Sequence, residues 1–165
     1  MTYLITFACY GCHLHGDESG SVDRNDNCPG TRLVDADPQR VLAERRLMAQ
    51  PPYCMNGIRR EAILSALLER CKRFHWNLLA AQVRTNRVHI VVEADARPER
   101  IMNDLKSYAS RCLNDLKREE AQRKRWARHG RTRWLWNREN VLAAISYVVD
   151  EQGDPMAVYE AAGVG

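Results

Sequence analysis

The segment Arg84-Thr85-Asn86-Arg87-Val88-His89-Ile90-Val91-Val92-Glu93 limits the possible folds most. Successive side chains of a strand point to opposite faces. Val88, Ile90 and Val92 therefore share an apolar face suited to packing against helices, and Arg87, His89, Val91 and Glu93 share the other. Leu78 to Thr85 reads as a second strand. A tight turn near Thr85-Asn86 joins the two as an antiparallel hairpin. Such a hairpin needs further strands and a helical layer to close its core.

The rest of the chain supplies both. Tyr3 to Tyr10 reads as a strand ended by Gly11. Gly16 to Pro38 is polar and rich in Asp, Asn and Gly, which predicts a long loop. Val41 to Met48 reads as a short helix stopped by Pro51-Pro52. Asn56 is placed to cap a helix from Gly57 to about Phe74, where Ile58, Ala62, Leu64, Leu68 and Cys71 fall mostly at helical spacing. Pro98 opens a long helix to about Arg125, and Arg133 to Trp136 reads as a short strand. Asn137 is placed to cap a last helix from Arg138 to about Glu151, ended by Gly153-Asp154-Pro155. The element order predicts an α+β domain: a ferredoxin-like antiparallel sheet, helices packed on one face, and a C-terminal tyrosine-bearing helix. The domain is expected over 1–155, with 156–165 as a tail.

A length of 165 residues fits one domain. No run of about 18 apolar residues occurs, so no membrane span is expected. The N-terminus lacks the basic start of a signal peptide, so the expected location is the cytoplasm, with the six cysteines reduced. The net charge of +4 conceals a split. Residues 97–138 hold 13 Lys/Arg against 5 Asp/Glu, and the rest of the chain holds 12 against 16. The basic segment reads as a polyanion-binding face.

Four groups of residues are candidates for chemistry. His89 lies on the strand face opposite the apolar one and is placed to meet a phosphate or a metal. In the last helix Val141, Leu142, Ile145, Val148 and Val149 form an apolar stripe, and Tyr147 lies off it with Glu151 four residues on. A tyrosine beside a carboxylate suits a nucleophile whose partner binds a metal. Tyr108 is the competing nucleophile, but it falls on the apolar line Ile101, Leu105, Tyr108, Cys112, Leu116. From Lys117 to Arg138, basic residues interleave with Trp126, Trp134 and Trp136. This mixture either binds phosphates and bases or places indoles in the core beneath a basic surface. Cys9-Tyr10-Gly11-Cys12-His13-Leu14-His15 holds soft-metal donors, but a single CxxC without a second pair is a weak zinc signal. Cys71 and Cys112 sit on apolar helix faces and are expected in the core.

From Tyr3 to about Pro155 the chain resembles the single-tyrosine HUH transposases, which include insertion-sequence 200/605-type enzymes and REP-associated tyrosine transposases. The resemblance rests on the combination of Leu14-His15-Gly16-Asp17-Glu18, Ser21-Val22-Asp23-Arg24, Val83-Arg84-Thr85-Asn86, Met102-Asn103-Asp104-Leu105-Lys106 and Arg128-His129-Gly130 with the strand and tyrosine helix above. It implies a bacterial, nucleoid-associated enzyme that cleaves and rejoins hairpin-bearing single-stranded DNA through a 5′-phosphotyrosine, as a homodimer. It implies Tyr147 as nucleophile and His89 as the second motif histidine. It also implies a divalent metal, Mg²⁺ or Mn²⁺, on His89 with Glu151 or Gln152. Arg84, Arg87, Lys106, Arg128, His129, Arg131 and Arg133 are the expected phosphate and DNA contacts. Arg87 stands where the family has its first motif histidine, and arginine has donors only and cannot ligate a metal. Three outcomes stay open: the metal moves onto His89, Glu151 and water; Arg87 takes the metal's place as a phosphate clamp; or the protein binds hairpin DNA without cleaving it. His13 and His15 are further candidate ligands.

Overall fold

The computed structural model describes residues 1–12, 38–116 and 120–164. The elements are β1 (Thr2–Cys9), α1 (Pro38–Leu47), α2 (Gly57–Arg73), β2 (Asn77–Val83), β3 (Arg87–Glu93), α3 (Pro98–Asn114), β4 (Trp126–Leu135), α4 (Arg138–Val149) and β5 (Ala157–Glu160). Five antiparallel strands form one sheet in the order β4-β1-β3-β2-β5. The first four positions are those of the expected ferredoxin-like sheet. No helix among the described residues is long and apolar enough to cross a membrane.

Alternation builds the main core. Tyr3, Ile5 and Phe7 of β1 and Val88, Ile90 and Val92 of β3 face Ile63 and Leu67 of α2 and Ile101 and Leu105 of α3. Each such side chain contributes roughly 1.5–3 kcal/mol by leaving water. The other sheet face is covered by α4, where Ala144, Ile145 and Val148 pack on Leu79, Ala80, Val91 and Leu135. β3 is thus buried on both sides, which takes His89 into the interior.

Both asparagine caps form as expected. The Asn56 side chain accepts from the Arg59 N–H at 2.9 Å, and that of Asn137 from the Asn140 N–H at 2.8 Å. Three expectations are corrected. The long helix ends at Asn114, short of Arg125. Beyond Leu116 only Ala121 is apolar before Trp126, so no stripe holds a longer helix on the core. The returning chain is held instead by bonds such as Tyr10 N–H to Arg125 O at 2.8 Å and Arg123 Nη2 to Pro51 O at 2.6 Å. The short strand at Arg133–Trp136 belongs to the ten-residue β4, because β1 pairs with it from Thr2 to Cys9. The expected tail contributes β5, whose Ala157 lies opposite Val83 and satisfies the outer edge of β2. The expected loop 16–38 lies outside the described residues except for Pro38, which opens α1.

Candidate functional site

The strand register creates the site. Thr6 of β1 lies opposite His89 of β3 and opposite Arg131 of β4, and His89 lies opposite Gln82 of β2. Arg131, Thr6, His89 and Gln82 therefore form one row across four strands, on the face that α4 covers. One step along, Arg133 lies opposite Leu4. A pocket of about 330 Å³ opens between this end of the sheet and α4. Leu4 and Thr6 line it from β1, Arg131 and Arg133 from β4, and Asn140, Ala143, Ala144 and Tyr147 from α4.

Tyr147 projects from α4 on the flank of the buried stripe and is 38% exposed. Its ring meets His89 edge to face, with centroids 5.8 Å apart. The sequence-predicted pair, 58 positions apart in the chain, is brought together. His89 is 2% exposed, and its Nδ1 shares a 2.9 Å hydrogen bond with Thr6 Oγ1. Its Nε2 is buried and has no hydrogen-bond partner among the described residues. An unsatisfied buried polar atom costs about 1–3 kcal/mol, and such atoms concentrate where a ligand completes the set. Burial, and then the charges of Arg87 and Arg84, push the imidazole down to about 4, so it is neutral at pH 7.

The end of α4 is held by side chains. Gln152 Nε2 donates to Tyr147 O at 3.1 Å, and Gln82 Nε2 to Val149 O at 3.4 Å. Both satisfy carbonyls that a helix end leaves open. Arg84 Nη1 donates to Gln82 Oε1 at 2.7 Å and to Asp154 O at 3.1 Å. Arg84 is therefore anchored to the scaffold behind the histidine. The helix stops at Val149, so Glu151 lies past it, where its Oε1 accepts from Ser146 Oγ at 3.4 Å.

These positions test the expected metal site. Among the described residues, no group of three or more His, Cys, Asp or Glu side chains is arranged to hold a metal ion. His89 has one nitrogen engaged by Thr6, and two guanidiniums already act on its ring. Gln152 presents its amide nitrogen to a carbonyl. A hard divalent cation needs several oxygen donors and a negative field. The described donor set is too small and too positive for one. His13 and His15 lie outside the described residues.

The other predicted residues separate clearly. Arg131 and Arg133 line the pocket, and Arg128 and His129 are exposed farther back on β4. Arg87 begins β3, half-buried beside His89. Lys106 is placed differently from expectation. It is 7% exposed, and its ammonium donates to Ala127 O at 3.0 Å and His129 O at 3.2 Å, fastening β4 to α3. Its alkyl stem lies on the apolar stripe of α3, which carries the charge inward. Tyr108 lies on α3, across the sheet from α4. A hydrogen bond to Glu69 holds its phenol up at about 12. Cys71 is buried, which pushes its thiol up to about 12, as a core residue requires.

Sequence reasoning missed Thr6, Gln82 and Asn140. Thr6 and Gln82 are interior polar residues of largely apolar strands, and only the register shows that they flank His89. Asn140 carries no distinguishing local pattern.

Residues 52–149 match the family described as Transposase IS200 like. No curated protein sequence matches the chain. Among solved structures, the chain is similar to a REP-associated tyrosine transposase bound to a REP hairpin, with a TM-score of 0.50 and 10% identity. That match covers 91% of this chain and 65% of the other, so the chain spans just under two-thirds of that protein's length. At this identity the likeness speaks for the fold. The family match covers more than half of the chain, and on that ground the chain belongs to the IS200-like transposase family.

Proposed function

We propose that the protein cleaves and rejoins hairpin-bearing single-stranded DNA, with Tyr147 as nucleophile. The observation that carries this reading is the position of Tyr147 at a pocket lined by Arg131 and Arg133, with its ring in edge-to-face contact with His89. Two guanidiniums on adjacent outward positions of one strand suit the non-bridging oxygens of a phosphodiester. Tyr147 Oη attacks phosphorus, the bond to O3′ breaks, and the phenol proton ends on the departing O3′. The 5′-phosphate remains on tyrosine, and the reverse step rejoins the strand. The neutral imidazole of His89 packs on the Tyr147 ring, and the guanidiniums of Arg131 and Arg133 donate to the phosphate oxygens. Fixed donors of this kind stabilise the charge that develops on the oxygens.

No step is routed through a metal, because the described donors do not fit one. Arg131 and Arg133 carry the electrostatic task, with Arg87 adding positive potential beside His89. A second reading is a DNA-binding descendant without cleavage. It is favoured by the two guanidiniums acting on the one imidazole that the family would give to a metal. A second copy of the chain is the proposed partner, to be checked by sedimentation.

The test incubates the protein with a hairpin-bearing single strand, in EDTA and with Mg²⁺ or Mn²⁺. A covalent protein–DNA adduct resolved on a denaturing gel is expected with wild type in both, and none with Tyr147→Phe. An adduct formed equally by Tyr147→Phe refutes the nucleophile. An adduct that requires metal refutes the arginine clamp. Tight binding with no adduct establishes the binding-only reading.

A further inference from the structure

Trp134 and Trp136 take no part in the chemistry above. Their indoles stack with centroids 5.3 Å apart and planes 14° apart. Tyr3, itself 2% exposed, meets Trp134 edge to face at 5.0 Å and ties the stack to the core. Trp136 is nonetheless 72% exposed. Its backbone is held on both sides, by Leu135 at the end of β4 and by Asn137, which caps α4. The result is a flat indole surface, rigidly mounted and facing water.

We propose that Trp136 is a stacking platform for an unpaired base of single-stranded DNA that passes around the edge strand β4, from the phosphate seat at Arg131 and Arg133 on one face to the indole stack on the other. The inference rests on the single-strand reading above. Arg133 immediately precedes Trp134 and points to the pocket side of the strand. From Arg133 to Trp136 is about 10 Å along an extended chain, a reach compatible with a few nucleotides. The two faces divide the contacts: Arg131 and Arg133 offer their charges on the pocket face of β4, while the stack, with Asp95 and Glu99 near Tyr3, offers a base contact rather than a phosphate contact. A base would extend the stack of Tyr3, Trp134 and Trp136 by one plane. Stacking of this kind tolerates any base sequence and excludes duplex, whose bases are already stacked.

The experiment titrates the full chain and its Trp136→Ala and Trp136→Phe variants with oligo(dT) and with a blunt duplex at fixed salt. Tryptophan fluorescence and the anisotropy of labelled DNA are followed, and circular dichroism checks the fold. Oligo(dT) is expected to quench wild-type fluorescence. Trp136→Ala is expected to weaken oligo(dT) binding roughly 5- to 150-fold and leave duplex binding unchanged, while Trp136→Phe retains most of the affinity. Folded Trp136→Ala that binds oligo(dT) as wild type does, or weakens duplex and single strand alike, overturns the platform alone. Wild type that binds no oligo(dT) refutes the single-strand reading, and the platform with it.

Discussion

Lowering the pH from 7.5 to 4.5 is expected to destabilise the protein through His89. In the unfolded chain this imidazole titrates near 6.5, and in the fold at about 4. Between those values the unfolded state binds the proton and the folded state does not. Stability therefore rises with pH across this window and is lost as pH falls through 6.5 toward 4. With about 1.36 kcal/mol per pKa unit, the loss by pH 4.5 is about 2.5 kcal/mol. The cause is burial first, then the charges of Arg87 and Arg84. Urea denaturation of wild type and His89→Gln at both pH values measures it. The variant keeps a polar side chain beside Thr6 but has nothing to titrate, so its acid loss should be smaller by about 2–3 kcal/mol. Asp104 is held below its usual range, chiefly by its hydrogen bond to Arg70, and its stability is lost only as the pH falls through its lowered value. That loss is common to both proteins and cancels in the difference. Equal acid losses in the two would refute the buried, neutral imidazole, as would an NMR titration of His89 centred near 6.5.

Three further outcomes follow from the packing. Gly130→Ala should destabilise by several kcal/mol in thermal or urea melts, because a Cβ there would lie 2.6 Å from the backbone oxygen of Thr6 and against Met102. Lys106→Met should cost about 1–3 kcal/mol by leaving the Ala127 and His129 carbonyls without their donor, yet should not change the salt dependence of DNA binding. Arg133→Ala should do the reverse: stability within about 0.5 kcal/mol of wild type, and a log–log salt slope for single-stranded DNA smaller by about 0.7.

The sequence by itself determined the strands and helices that alternation and caps specify. Val88, Ile90 and Val92 fixed the inward face of β3, and Asn56 and Asn137 fixed two helix starts to the residue. The off-stripe position of Tyr147 on the last helix was also legible, because helical periodicity is a local property. What lay beyond local pattern was decided in three dimensions. The exit of α3 at Asn114 and the length of β4 depend on pairing with β1, more than a hundred residues earlier in the chain. Lys106 looked like a surface charge in a basic segment, but its place on the apolar stripe of α3 turned it inward onto the carbonyls of β4. The expected metal donors do not come together among the described residues, for a related reason. Sequence spacing placed Glu151 one turn beyond Tyr147, but the helix ends at Val149, and the residues gathered around His89 are Thr6, Gln82 and arginines. Only strand register brings Arg131, Thr6, His89 and Gln82 into one row. Register is set by pairing between distant segments, and no single segment carries it.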